Sequence, residues 1–308
     1  MGNIYYFGYP TPTTGGDFVN IDHVLVLNKL GFSAKIIYDG SHPMSSKLPQ
    51  NSRPIQSINF REDDYFIVPE NDYQLLEFAY SLKSKLIIHN QNNYYFFNAV
   101  NSVLGLENKR FNTIICPSDI SAKMLVDAGY RGEVAVIKPY VPSYFSPSKK
   151  KLTIAFSPRK LPIQSRALLT TFRSMFPNYL DIEWVAIENM DRENVAKLLS
   201  ESAIYASFSN LESLGLSTLE AMKCGCIVVG DHGGGGSEYA NTENGFWVRA
   251  DELILYSRKI ADAIELFKKF GAENAISVAA IKSANEFSPE NFHKSLENFW
   301  LNRISKSH

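Results

Sequence analysis

Glu212-Ser213-Leu214-Gly215-Leu216-Ser217-Thr218-Leu219-Glu220 opens the stretch on which the fold turns. It continues as Ala221-Met222-Lys223-Cys224-Gly225-Cys226-Ile227-Val228-Val229-Gly230 and then His232-Gly233-Gly234-Gly235-Gly236-Ser237-Glu238. Residues 214–223 carry apolar side chains at helical spacing, Gly225 marks a tight turn, and 226–230 is a short apolar run suited to a buried strand. With a strand predicted over 203–208 just upstream, the order is strand, loop, helix, turn, strand, which is the unit of a parallel sheet covered by helices. At such a strand-to-helix turn the backbone N–H groups near Leu214, Gly215 and Leu216 lack intrahelical partners and suit a phosphate or diphosphate. Gly215 lets a ligand approach the backbone closely. A carboxylate ahead of that turn would repel a phosphate, so Glu212 suits hydroxyl donors such as those of a sugar, and Glu220 suits the vicinal diol of a ribose. The plain alternative for both is a solvated loop or helix-surface carboxylate. The glycine run 233–236 is expected to open a second, mobile loop.

Outward from that stretch the same alternation recurs. Strands are predicted at 4–7, 33–38, 65–68, 85–89, 113–116 and 133–137, with helices at 17–30, 72–82 and 118–128. A second series runs through strands 152–156, 182–187, 203–208, 226–230 and 246–248 and helices 164–175, 191–202 and 214–223, with Asp191 as an N-cap. The chain then turns helical over 251–270, 272–286 and 289–304, the last with Pro289 at its first position and Phe292, Leu296, Phe299 and Trp300 on one face. Residues 139–151, with three prolines and a lysine run, suit an exposed linker between two α/β halves. No short-period repeat or low-complexity tract interrupts either half.

Composition agrees with two domains. The 308 residues are about twice a typical domain length of roughly 150. Hydrophobic residues at 45% exclude general disorder, and 31 Lys+Arg against 32 Asp+Glu exclude a basic nucleic-acid surface. Three cysteines with no C-x-x-C pair fit neither a disulfide framework nor a zinc ribbon and point to a reducing, cytoplasmic setting. The first residues show no leader or myristoylation pattern, and no apolar run reaches membrane-spanning length. The G-x-G-x-x-G, P-loop, H-E-x-x-H, G-x-S-x-G and Asp-x-Asp patterns are all absent, the last disfavouring a nucleotide held through a metal.

Taken in order, the two glutamates of 212 and 220, Leu219-Glu220-Ala221-Met222, Cys224-Gly225-Cys226 with Val228-Val229, and Gly234-Gly235 with Glu238 resemble the donor-binding core of retaining GT-B glycosyltransferases of family 4. Gly15-Gly16, Val68-Pro69-Glu70, Cys116-Pro117-Ser118 and Ser157-Pro158-Arg159-Lys160 extend the resemblance over most of the chain. It implies an α/β, GT-B fold of two Rossmann-like doubly wound domains facing across a cleft. Residues 1–145 would bind the acceptor, 146–286 the nucleotide sugar, and 287–308 would be a helix crossing back to the first domain.

The resemblance also implies roles. Glu212 would bind the transferred sugar, Glu220 the ribose, and the backbone of Ser213, Leu214, Gly215 and Leu216 the diphosphate. Arg159 and Lys160 would neutralise the departing diphosphate, with Arg166 standing where the family often has a lysine. Gly15 and Gly16 would form the N-terminal glycine loop. His89, at the end of a predicted strand, would face the sugar, with Asn90 and Gln91 as alternatives in that register. The implied activity is metal-independent, retaining transfer from a nucleotide-diphosphate sugar, a co-substrate and not a cofactor, to a glycan, polysaccharide or lipid-linked acceptor. No metal site and no nucleic-acid partner are expected. Peripheral association with the inner membrane face and the oligomeric state stay open. A catalytically silent GT-B protein that binds a sugar nucleotide or serves as a partner subunit is the alternative, motivated by the altered basic loop at Gln164-Ser165-Arg166.

Overall fold

The structure is a computed structural model that describes residues 2–12, 14–41, 43–100, 106 and 110–305. The chain divides into two compact units, one of Met1–Pro139 with Glu290–His308 and one of Tyr140–Pro289. Among the described residues no helix is long and apolar enough to cross a membrane.

Unit 1 is built on strands β1 (Ile4–Phe7), β2 (Ala34–Tyr38), β3 (Arg53–Pro54), β4 (Tyr65–Pro69), β5 (Lys85–His89), β6 (Thr113–Cys116) and β7 (Glu133–Val136). They form one parallel sheet in the order β3-β2-β1-β4-β5-β6-β7. Helices α1 (Gly15–Lys29), α2 (Tyr73–Tyr80), α3 (Asn93–Ala99) and α4 (Asp119–Asp127) connect them. Each helix starts on a side-chain cap: Thr14, Asp72, Asn92 and Ser118 accept backbone N–H groups of the first turn. The strand order reverses between β1 and β4, which opens a crevice at their carboxyl ends. Helix α3 is absent from the sequence expectation because Tyr94-Tyr95-Phe96-Phe97 has the composition of a strand; the Asn92 cap, accepting from Tyr94 and Tyr95, sets the helix instead.

Unit 2 contains β8 (Lys151–Phe156), β9 (Glu183–Ala186), β10 (Ser202–Glu212), β11 (Ile227–Gly234) and β12 (Phe246–Trp247), parallel in the order β12-β11-β10-β8-β9. Helices α5 (Pro162–Met175), α6 (Arg192–Glu201), α7 (Leu216–Lys223), α8 (Leu253–Phe270) and α9 (Ala275–Asn285) cover its two faces. One face packs Tyr205, Leu219, Met222, Cys226 and Val228, the other Ile204, Phe208, Val229, Tyr256 and Ile260. Here the order reverses between β8 and β10. The final helix, α10 (Pro289–Ser305), groups with unit 1 and buries Phe292, Leu296, Phe299 and Trp300 there. The Trp300 ring lies edge-on to Tyr65, 5.0 Å between centroids.

Two expectations change. Residues 139–151 are not an exposed linker throughout, because Val141 and Phe145 are buried in the core of unit 2 and the Val141 N–H donates to the Phe287 carbonyl at 2.9 Å. The glycine run after Asp231 is not a loop either. β11 continues to Gly234, paired with β10, and Gly235–Glu238 forms a turn of 3-10 helix.

Candidate active site

The reversal point of unit 2 brings the end of β8 beside the end of β10. Near its end β10 is irregular: its register against β11 slips between Ser209 and Glu212, and Leu211 takes a left-handed φ of 52°. Such a bulge re-aims the side chain that follows it. That side chain is Glu212, and its Oε1 accepts from Lys160 Nζ at 2.5 Å. Lys160 and Glu212 are only 24% and 19% exposed, so their attraction is less screened than that of a surface pair. Arg159 is exposed on the same loop, and Arg166 is exposed within α5.

The glycines at the end of β11 and in the 3-10 turn after it explain how Glu212 is held. A Cβ on Gly233 would stand 2.8 Å from Glu212 Cγ, and one on Gly235 would stand 2.3 Å from the Ser213 carbonyl carbon. Only bare backbone fits against residues 212 and 213, so the run is a packing surface. Buried hydroxyls link the neighbouring elements: Ser207, Ser209 and Thr218 lie 3.2 to 3.3 Å from one another, tying β10 to α7.

Helix α7 begins at Leu216 after Gly215, whose φ of 87° makes the turn. Ser213 and Leu214 are buried, Leu214 in the core, while their backbone leads into the helix N-terminus. Glu220 follows in the second turn of α7, 14% exposed, with Oε1 3.3 Å from Arg192 Nη2. Burial pushes the Glu220 carboxyl up to about 7 against the pull of Arg192. Each of the two glutamates therefore faces a cation supplied by another element.

In unit 1 the reversal point collects a different set of groups. Gly15 and Gly16 are the first two residues of α1, not a loop ahead of it. The Thr14 side chain caps the Asp17 N–H, and Asp17 accepts from the Thr14 N–H at 2.8 Å, a closed capping box. Gln91 Nε2 donates to the Gly16 carbonyl at 3.1 Å and to Asn20 Oδ1 at 3.3 Å. His89 Nδ1 is 2.7 Å from the same Asn20 oxygen. The His89 ring is 2% exposed, and burial lowers its pKa to about 3. It lies 4.7 Å from the ring of His23, whose pKa burial also lowers and whose Nδ1 meets the Tyr6 hydroxyl at 2.9 Å. Glu70, at the end of β4, is buried as well; burial pushes it up to about 7 while the N–H groups of Glu70, Gln91 and Asn92 pull it down.

A model of the family described as glycosyl transferases group 1 matches residues 183–274, which run from β9 through α8 and so include both glutamates. An alpha-1,6-glucosyltransferase of Actinobacillus pleuropneumoniae serotype 7 is 36% identical over 281 residues, covering 86% of this chain and 84% of that protein. The chain belongs to the group 1 glycosyltransferases. A sucrose-phosphate synthase from Thermosynechococcus elongatus superposes on this glycosyltransferase with a TM-score of 0.73 at 12% identity, covering 99% of this chain and 100% of that one. Anabaena HepE, solved with UDP and glucose, gives 0.69 at 15% identity over 99% and 100% of the two chains. These likenesses establish the GT-B fold of two Rossmann-like α/β domains.

Within the glycosyltransferase, the sequence-derived groups of unit 2 fall together in part. Lys160 reaches Glu212, and Ser213, Leu214, Gly215 and Leu216 connect Glu212 to the helix that carries Glu220. His89 lies buried at the end of β5, with Nδ1 against Asn20 Oδ1 and its ring against that of His23, while Gln91 two residues on reaches both Gly16 and Asn20. Sequence reading missed Arg192, Asn20, Glu70 as an ionisable group, and His23. For His23 the signal was its place on the inward face of α1; for Arg192 there was none, since its partner lies 28 positions away.

Proposed function

We propose that this glycosyltransferase moves a hexosyl group, with glucose favoured, from a nucleotide-diphosphate sugar held by unit 2 to a glycan, polysaccharide or lipid-linked acceptor held by unit 1, with retention and without a metal. The observation that carries the reading is the pairing of Lys160 with Glu212 at the reversal point, joined through the turn and the start of α7 to the Glu220–Arg192 pair. A sugar and a diphosphate need those two kinds of group side by side. Binding of UDP and glucose by HepE supports the donor class, and the name of the Actinobacillus relative supports glucose and an alpha product. The common sugar nucleotides of glucose are alpha at the anomeric carbon, so an alpha product corresponds to retention.

In this reading Glu212 accepts hydroxyl hydrogen bonds of the sugar, while Lys160 and Arg159 meet the charge that develops as the bond from anomeric carbon to phosphate oxygen breaks. The acceptor oxygen bonds to the same carbon, its proton passes to the departing diphosphate, and a nucleoside diphosphate leaves. The backbone from Ser213 to Leu216 lines the diphosphate, and Glu220 takes the ribose diol. Gly15 and Gly16, at the start of α1, and the Gln91–Asn20–His89 chain that links α1 to the end of β5 border the acceptor.

The test is transfer from UDP-glucose, and from GDP- and ADP-sugars, to a panel of glycans and lipid-linked sugars, with the product anomer read by NMR and EDTA present. Glu212→Ala, Lys160→Ala and Arg159→Ala should each lower kcat by about 10²-fold. An inverted product, loss of activity in EDTA, or unchanged turnover in all three variants would overturn the corresponding part of the reading. Donor binding with no turnover across the panel would move the protein to the silent class.

A further inference from the structure

Glu220 is where the donor site is electrostatically most exposed to change. Its carboxylate is almost enclosed, and burial by itself favours the protonated form. A protonated carboxyl would present a donor and one good acceptor to a ribose, whereas the ionised form accepts from both hydroxyls of a vicinal diol. What opposes burial is Arg192, first residue of α6, whose Nη2 lies 3.3 Å from Glu220 Oε1. The start of α6 is fixed by Asp191, which accepts from the Asn194 N–H at 2.8 Å. The guanidinium is also set 6.0 Å from the ring centres of Tyr144 and Phe145, so it is placed from two sides. The other ionisable groups whose charge acts on or feels Glu220 among the described residues are Tyr205 of β10 and Cys224 at the end of α7. Burial raises both, so they are neutral near pH 7, and Arg192 is the cation that faces Glu220.

We infer that Arg192 is a positioning residue of the donor site: it holds Glu220 as an oriented carboxylate through Oε1, leaving Oε2 to the ribose, and so sets the pH range over which the sugar nucleotide binds. The inference rests on the assignment of the ribose to Glu220.

The experiment measures the affinity of the intact protein for a sugar nucleotide by calorimetry at about pH 6 to 8.5. UDP-glucose, GDP-mannose and ADP-glucose are the probes, and the tightest of them is carried forward; their diphosphates are diesters that do not titrate in this range. Wild-type affinity should fall as the pH drops through about 7. In Arg192→Gln the fall should move upward by about one pH unit, with affinity at pH 7 reduced about 3- to 10-fold and recovering toward wild type at the alkaline end. Arg192→Lys, which keeps the charge, should retain the wild-type profile. A wild-type affinity independent of pH, an Arg192→Gln profile parallel to wild type, or equal damage from lysine and glutamine would overturn the inference. Glu220→Gln separates the two levels. If it binds as tightly as wild type, the ribose assignment falls and the inference with it; if it binds weakly while Arg192→Gln runs parallel to wild type, the inference alone falls.

Discussion

Glu70 and His89 end neighbouring strands of the same sheet, and burial acts on them with opposite sign. The His89 pKa is depressed from 6.5 to about 3, so its contribution to stability is complete above 6.5 and is lost as the pH falls. His89→Gln should therefore gain about 2 kcal/mol relative to wild type between pH 6.5 and pH 5, by chemical denaturation. The Glu70 carboxyl is raised from 4.5 to about 7, so its contribution is complete at acid pH and is lost as the pH rises through 7. Glu70→Gln should lose ground relative to wild type over the same descent in pH. Both slopes flat would mean that these side chains are hydrated. Glu212 and Glu220 were legible in the sequence because the turn and helix that relate them are continuous chain. Arg192 and Asn20 were not, because each earns its role from a partner on another element.

Strands β5 and β6 match their sequence expectation at both ends, because Leu86-Ile87-Ile88 and Ile114-Ile115 are fully enclosed runs bounded by polar residues or proline. Periodicity fails where an element loses its apolar side chains while keeping its hydrogen bonds. That is the case for β10 and β11 beyond Phe208 and Gly230, where Ser209, Asn210 and the glycines continue the ladder. The cost of altering a glycine packed against other backbone differs from that of altering one in open space. Gly235→Ala drives a Cβ into the backbone of Ser213 and should destabilise the protein by about 1–3 kcal/mol while also displacing Glu212 and reducing transfer. Gly31→Ala, at φ 86° with open space around it, should cost about 1 kcal/mol and leave transfer unchanged. Equal effects of the two on activity would remove the glycine run from the site. Trp300→Ala empties a fully buried position of α10 and should cost about 3–5 kcal/mol.

Each unit has its own sheet and cores, so a ligand held by one should protect that one. Hydrogen exchange with a saturating sugar nucleotide should slow in residues 140–289, most at the ends of β8 and β10 and the start of α7; protection confined to unit 1 would contradict the donor assignment. With a net charge of -1 the chain carries no overall positive charge to gather a diphosphate, so under the proposed function recognition would fall to Lys160, Arg159 and a helix end. The order of the chain adds a temporal consequence. Unit 1 leaves off at Pro139 and resumes only at Glu290, while the Val141–Phe287 hydrogen bond joins the two ends of unit 2. On the ribosome all of unit 2 is therefore synthesised before the α10 segment that seals Tyr65 and His23. The second unit to begin can be the first to mature, and the first to begin waits with its strands made but its last helix missing, the form in which a chaperone would meet it.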